Sequence, residues 1–366
     1  MTAIAAEPTA PPLWLGRVAR RAEAVVIPVG ALLAGLVAFS VFLLLVGKPP
    51  VEFFQLVAKA GFGTPFSWTN TLSRTAPLLL AALCVALPAR LGLVVIGGEG
   101  AIVLGGVAAG AAGAMLAGAP GILGMAAMMI AGALVGGLWI GAVGYLRHAR
   151  GVNETISSLL MAYIAIALMN HLVEGPLRDP ASLNKPSTAS LDAALRIGDM
   201  PFFDVHWGLA AGVIACIASW VLIEFTTIGF AARIAGGNVR AAEIQGLPVG
   251  RLIVGFCALA GALAGIAGAF EVAAVHGSAN GSLAAGYGYT GILVAFVARQ
   301  NPLAIIPVAV LLAGFEASSG LVQRRMDLPD ATVLVLQGFV LISILASETL
   351  YGRFKVFDPS RWGARS

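Results

Sequence analysis

Charge is what this chain has least of. Only 11% of its 366 residues are Asp, Glu, Lys or Arg, while 59% are hydrophobic. A soluble globular domain carries roughly 25% charged residues. So few charges cannot cover a surface facing water, which excludes a soluble domain and leaves a polytopic membrane protein. The mean hydropathy of +0.92 agrees. Cysteine is scarce too: Cys84, Cys216 and Cys257 fall inside apolar segments at irregular spacing. That argues against a disulfide framework or a zinc site and favours small core residues. The four histidines are scattered, so no metal site is expected. No G-x-x-x-x-G-K-[ST] run occurs, so the chain itself should not hydrolyse ATP. A membrane-embedded enzyme would need clustered His/Asp or Ser/His groups, and there are none. The net charge is +4, but Lys and Arg form short clusters between apolar segments. That pattern fits positive-inside topology and not nucleic-acid binding.

What is present is a succession of apolar runs. Residues 1–23 read as an N-terminal tail with Arg17, Arg20 and Arg21, followed by a retained first span over Ala24–Gly47. Lys48–Arg74 reads as a connector containing a short interfacial helix, Val51–Ala60, with Phe53, Phe54 and Val57 near one face. Further spans are expected over Thr75–Ala89, to about Leu116, over Gly121–Tyr145, from Gly151, and over Trp207–Ile223 and Leu252–Val272. A short apolar piece to Arg299 and two spans over Leu303–Gly320 and Ala331–Leu350 complete the set. This gives an all-α polytopic protein of about ten transmembrane helices in two five-span halves, with a membrane domain over 24–350. A basic tail, 351–366, carries Arg353, Lys355, Arg361 and Arg365. Basic residues at both termini put both in the cytoplasm. Glycines four apart, Gly106/Gly110, Gly132/Gly136, Gly137/Gly141 and Gly261/Gly265, predict close helix packing.

Two segments break the apolar pattern at corresponding places in the halves. The first is Leu91–Gly110, where Gly97, Gly98 and Gly100 surround Glu99; the second is His276–Pro302. An acid at membrane depth is expensive unless it is paired or lines water. Paired interruptions of this kind point to a central site. A membrane-edge turn with a solvated Glu99 is the alternative reading. Asn153 and Glu154 open the fifth span, where a helix dipole favours an acid.

The polar stretch Phe225–Arg251 is flanked by basic residues and holds Arg233, Arg240 and Arg251 against Glu243. Asn238 is placed to cap a short helix over Val239–Gln245, closed by Gly246 and Pro248. Such a helix is a handle for another protein; an ordinary solvated loop is the alternative.

The motif Gly236-Gly237-Asn238-Val239-Arg240-Ala241-Ala242-Glu243-Ile244-Gln245-Gly246 resembles the cytoplasmic loop of bacterial ABC-importer permeases, in the branch for simple sugars, nucleosides and branched-chain amino acids. Ile96-Gly97-Gly98-Glu99-Gly100 resembles N-I-G-x-E-G-Q of the nucleoside branch, with Val95 and Ala101 at the flanking amide positions. Gly151, Asn153, Glu154, Ile156, Leu159–Met161 and Tyr163-Ile164 match a third motif. Gly286, Gly288-Tyr289, Gly291-Ile292, Val294-Ala295 and Pro302 match a fourth.

The resemblance implies a permease subunit in the bacterial plasma membrane that moves a nucleoside or related solute by alternating access. It implies docking of the loop residues Arg233, Gly237, Asn238, Arg240, Ala241, Ala242, Glu243 and Gly246 on a cytoplasmic ATPase subunit, which binds the ATP. It also implies a second permease, a heterodimer being favoured, and an extracytoplasmic substrate-binding protein. The expected pathway residues are Gly97, Gly98, Glu99, Gly100, Asn153, Glu271, Asn280, Tyr287 and Tyr289, the tyrosines stacking on a base or sugar face or anchoring at the interface. A ribose- or galactose-type sugar permease is the nearest alternative. An ion-coupled secondary transporter cycling Glu99, Glu271 or Glu316 is the more distant one.

Overall fold

Without water in the hydrocarbon layer the backbone must pair its polar groups internally, and long continuous apolar runs do so as helices. A computed structural model describes residues 13–349, apart from positions 117, 119, 183, 202 and 348. In chain order the helices are α1 (Leu13–Leu45), α2 (Pro50–Phe62), α3 (Pro65–Ala89), α4 (Gly98–Met115), α5 (Gly121–Arg150) and α6 (Glu154–Glu174). A two-stranded antiparallel hairpin follows, β1 (Asp199–Met200) and β2 (Phe203–His206). Then come α7 (Gly208–Phe225), α8 (Thr227–Gly237), α9 (Val239–Ile244), α10 (Val249–Phe270), α11 (Tyr287–Val297), α12 (Pro302–Met326) and α13 (Thr332–Ser347). A π-helical turn, Glu271–His276, extends α10. Eight of the described helices are long and apolar enough to cross a membrane. Two shorter apolar segments, Gly281–Val297 and Thr332–Ser347, bring the total to ten. The fold is all-α and polytopic, as the composition requires.

Several boundaries differ from the sequence reading. The first helix already begins at Leu13, inside the stretch read as a tail; the residues before it and the basic residues Arg353–Arg365 lie outside the described part. The second span starts at Pro65, ten residues earlier than expected, because Thr64 accepts a hydrogen bond from the Ser67 amide and caps it. Arg74 is therefore inside a membrane helix and not at its edge.

The short helix α2 also behaves differently. Its first residues follow Lys48, whose Nζ donates to the Met326 carbonyl at the end of α12. Its last turn places Gly61 against the backbone of Gly314, halfway along α12. The helix thus runs down α12 for about 18 Å instead of lying flat on the membrane. Phe53 and Val57 do share one face, but that face is buried against the core that includes Phe39.

The glycine pairs act as expected. A Cβ at Gly261 would overlap the Gly136 carbonyl, and one at Gly265 would overlap that of Gly132, so α5 and α10 touch backbone to backbone. Gly105 of α4 meets Gly265 in the same way. The three cysteines are free and buried.

The two ends of the bundle are distinct. At one, the α8–α9 loop lies by Arg90, where a Cβ on Gly236 would overlap the Arg90 backbone, and Arg90 Nη2 donates to the Gln300 carbonyl at 3.0 Å. At the other, the hairpin and its flanking stretch bond to the segment after α10: Thr188 N to the Ala279 carbonyl at 2.9 Å and Ile197 N to that of Ala273 at 3.0 Å. These are called here the loop end and the hairpin end.

Candidate functional site

Both predicted breaks are real, and they meet. After α3 the chain turns at Arg90–Gly92 and runs extended through Leu93–Ile96 alongside the start of α6. The Ile96 amide donates to Ser158 Oγ at 3.0 Å, and Thr155 Oγ1 donates to the Val94 carbonyl at 2.9 Å. Helix α4 therefore begins at Gly98, well inside the bundle, and runs to the hairpin end. The second break delivers α11, which also begins inside but runs the other way, to the loop end. Its eleven residues cover about 16 Å, roughly half a hydrocarbon core.

The first turns of α4 and α11 face each other across Glu99, whose relative exposure is 1%. Its Oε1 accepts the Gly286 amide at 2.8 Å and its Oε2 the Gly288 amide at 2.6 Å. An acid at a helix N-terminus answers both the unpaired amides and the positive end of the dipole. Gly288 is required by this approach, since a Cβ there would overlap the Glu99 backbone. Gly97 and Gly100 pack as closely against Ser158 and Ala162. Gly98 lies over Cys84.

Beside this junction lies a polar centre that the sequence reading only partly contains. Thr290 of α11 donates from Oγ1 to Glu316 Oε1 of α12 at 2.8 Å, and Gln337 Nε2 of α13 reaches the same oxygen at 3.5 Å. Arg74 of α3, Tyr287 and Glu316 line a cavity of about 120 Å³ together with Ser319 and Asp330. Arg74, Ser319 and Asp330 also line a larger polar recess of about 500 Å³, with Lys59, Asn70 and Arg324 on its walls. The shared walls make one polar route from the hairpin-end termini of α12 and α13 inward to Tyr287. The Nε atom of Arg74 is buried without a hydrogen-bond partner, so a polar group entering the cavity would satisfy it.

The other expected pathway residues are not gathered there. Asn153 is exposed at the loop end, where its Oδ1 accepts the Ile156 amide and caps α6. Asn280 is at the hairpin end and caps a short turn through the Ser282 amide at 2.9 Å. Glu271 is buried in the π-helical turn, its Oε2 3.6 Å from Nε2 of His276 five residues on; a π turn stacks positions five apart. Tyr289 is 38% exposed, while Tyr287 is half-buried on the cavity wall. Arg74, Thr290 and Gln337 were missed. The signal was there for Arg74: Ser67, Asn70 and Arg74, at helical spacing, line the recess.

The loop has the expected cap. Asn238 Oδ1 accepts the Ala241 amide at 3.0 Å, and Gly246 takes φ +78°, a left-handed conformation suited to glycine. Helix α8 was not foreseen. Its Arg233 is engaged with Glu224 at 2.9 Å, which ties the loop to the end of α7. Ala242 is 0% exposed and packs within the chain, contrary to the expectation that it meets a partner. Arg240, Glu243 and Gln245 point outward with Val239 and Ile244, the last 82% exposed. Among the described residues, no group of three or more His, Cys, Asp or Glu side chains is placed to hold a metal ion.

Comparison with known proteins gives concordant matches. Residues 67–345 match the family described as branched-chain amino acid transport system / permease component. The glucose ABC transporter permease protein TsgB13 of Haloferax volcanii is 30% identical over 340 residues, 90% of this chain and 89% of that protein. The guanosine ABC transporter permease protein NupP of Bacillus subtilis is 27% identical over 358 residues, 94% of this chain and 99% of that protein. The nucleoside ABC transporter permease protein NupB of Lactococcus lactis is 23% identical over 298 residues, 79% of this chain and 82% of that protein.

Proposed function

We propose that this chain, which belongs to the family of ABC-transporter permeases matched over residues 67–345, carries a nucleoside or a related small polar solute across the plasma membrane as one membrane subunit of an importer. The observation that carries the reading is the polar route ending at Tyr287, with an aromatic ring beside the unpartnered guanidinium Nε of Arg74 and the carboxylate of Glu316. A ring face suits a base, and a guanidinium and a carboxylate suit base carbonyls and ribose hydroxyls.

The mechanism follows from the two ends. The loop end faces the cytoplasm, and Val239, Arg240, Glu243 and Ile244 of α9 seat on an ATPase subunit. Closure of the ATPases pushes α8–α9, which Arg233 and Glu224 hold to α7. The hairpin end receives solute from an extracytoplasmic binding protein, and the polar recess opens there. A second, unlike permease completes the membrane part. A proton- or sodium-coupled carrier needs carboxylates that exchange partners. Both oxygens of Glu99 are held by backbone amides, which fits a fixed structural role better.

A simple sugar is the second reading, favoured by the 30% identical glucose permease. The test is reconstitution with the ATPase and binding-protein partners, followed by uptake of radiolabelled guanosine, adenosine, ribose and glucose. Saturable nucleoside uptake supports the first reading. Sugar uptake that nucleosides fail to compete supports the second and removes the first.

A further inference from the structure

The close crossing of α5 and α10 leaves an apolar groove beside it, about 580 Å³ in volume, whose walls include Leu134, Leu138, Tyr145, Val254, Ala258 and Ala262. Its floor follows from the sequence: Gly137, Gly141 and Ala258 offer no bulk where larger side chains would close the gap. Both walls continue past the apolar part at the loop end. On α5, Leu134, Leu138, Tyr145 and His148 recur at helical spacing. On α10, Arg251, Val254, Ala258 and Ala262 do the same. His148 lies against Gly250, where a Cβ would overlap its ring, and so stands next to Arg251 in the chain fold. Arg251 is exposed, and no hydrogen bond or ion pair engages it among the described residues. Arg147, by contrast, is held by Glu154 at 3.3 Å.

We propose that this groove seats one acyl chain of an anionic phospholipid, whose phosphate is held at the loop end by Arg251, His148 and the Tyr145 hydroxyl. Length argues for a lipid and against a helix of another subunit. The lining runs from Tyr145 only to Ala133, twelve residues or about 18 Å, which is little more than half a hydrocarbon core. That is the reach of one leaflet, whereas a transmembrane helix would need a seat across the whole thickness. Charge argues for an anionic headgroup. An acyl chain gains no hydrophobic energy by leaving other acyl chains, so preference among lipids comes from the basic foot of the groove and from packing. The site is independent of which solute is carried.

The test is native mass spectrometry of the detergent-purified importer offered equal amounts of dioleoyl phosphatidylglycerol and dioleoyl phosphatidylcholine. Phosphatidylglycerol is expected to stay bound preferentially. Arg251→Gln should lower its retention about fivefold. Ala142→Leu, which fills the groove wall without touching the charge, should lower retention of both lipids. Arg150→Gln removes a basic residue at the same end but off the groove face and should change nothing. Each variant is checked for an unaltered elution profile, so a folding defect is recognised. Equal retention of both lipids by the wild type, or an Arg251→Gln effect no larger than that of Arg150→Gln, overturns the proposal. So does cross-linking of a photoreactive group attached to a Leu138→Cys variant to a neighbouring permease, which would show a protein in the groove.

Discussion

Glu99 and Gly288 stand in the first turns of two helices that run away from each other, and the carboxylate Oε2 of one accepts the amide of the other at 2.6 Å. Two positive helix ends pointed at one another repel, and the single acid between them turns the junction into an attraction. The glycine at position 288 lets the backbones approach closely enough for the bond to form.

The first prediction concerns that bond. Glu99→Ala leaves the buried Gly288 amide without an acceptor, a loss of about 1–3 kcal/mol, and removes the acceptor of the half-buried Gly286 amide as well. Glu99→Gln keeps one acceptor but turns an amide donor toward donors, so it should fall between wild type and Ala. Thermal survival of the solubilised protein, followed by size-exclusion chromatography, orders the three. Equal survival of all three would mean that the carboxylate does not hold the two helices together.

A second prediction separates α9's two faces. Ile244→Glu changes a side chain that is 82% exposed, so expression and insertion should match wild type. Substrate-stimulated ATP hydrolysis should drop, because an apolar contact is replaced by a charge at the docking surface. Ala242→Trp overpacks a fully buried position, which costs about 1–3 kcal/mol, and should reduce expression and hydrolysis together. If Ile244→Glu couples normally, α9 is not the docking helix.

Arg74 supplies the third. Arg74→Gln removes a charged donor from the inner cavity while keeping much of its length. Loss of one hydrogen bond to a charged group, about 1.5–3 kcal/mol, corresponds to a roughly 10- to 150-fold fall in apparent affinity for solute. The reading is uptake at low solute concentration in cells with normal protein levels. Wild-type uptake by Arg74→Gln would remove the residue from the pathway.

The fourth tests orientation. Gly237 has open space where a Cβ would go, and Ser190 near the hairpin is exposed. Gly237→Cys should react with a membrane-impermeant thiol reagent only after the cells are opened, and Ser190→Cys should react in intact cells. The reverse pattern would invert the assignment of the two ends.

Much of this was legible in the sequence because it depends on local rules. The Asn238 cap and the left-handed Gly246 follow from side-chain length and the missing Cβ, and the glycine pairs announce close crossings. The polar centre was not legible, because it is assembled from α3, α11, α12 and α13, whose contacts no local pattern encodes. Arg74 was taken for a membrane edge on the rule that charges stand outside, a rule a polar cavity suspends. The direction of Ala242 was likewise hidden: a six-residue helix is too short to show a period, and its buried face is fixed by tertiary packing.

The bond between Glu99 and Gly286 joins residues 187 positions apart, and a ribosome does not make both at once. At roughly 5–20 residues per second, the acid enters the membrane some ten to forty seconds before the amides that will receive it exist. During that interval α4 can already pack against α6 within the first half, but its Glu99 carboxylate has no amide to bind. The two halves therefore cannot mature independently, and a polypeptide cut off after α6 should be degraded rather than accumulate.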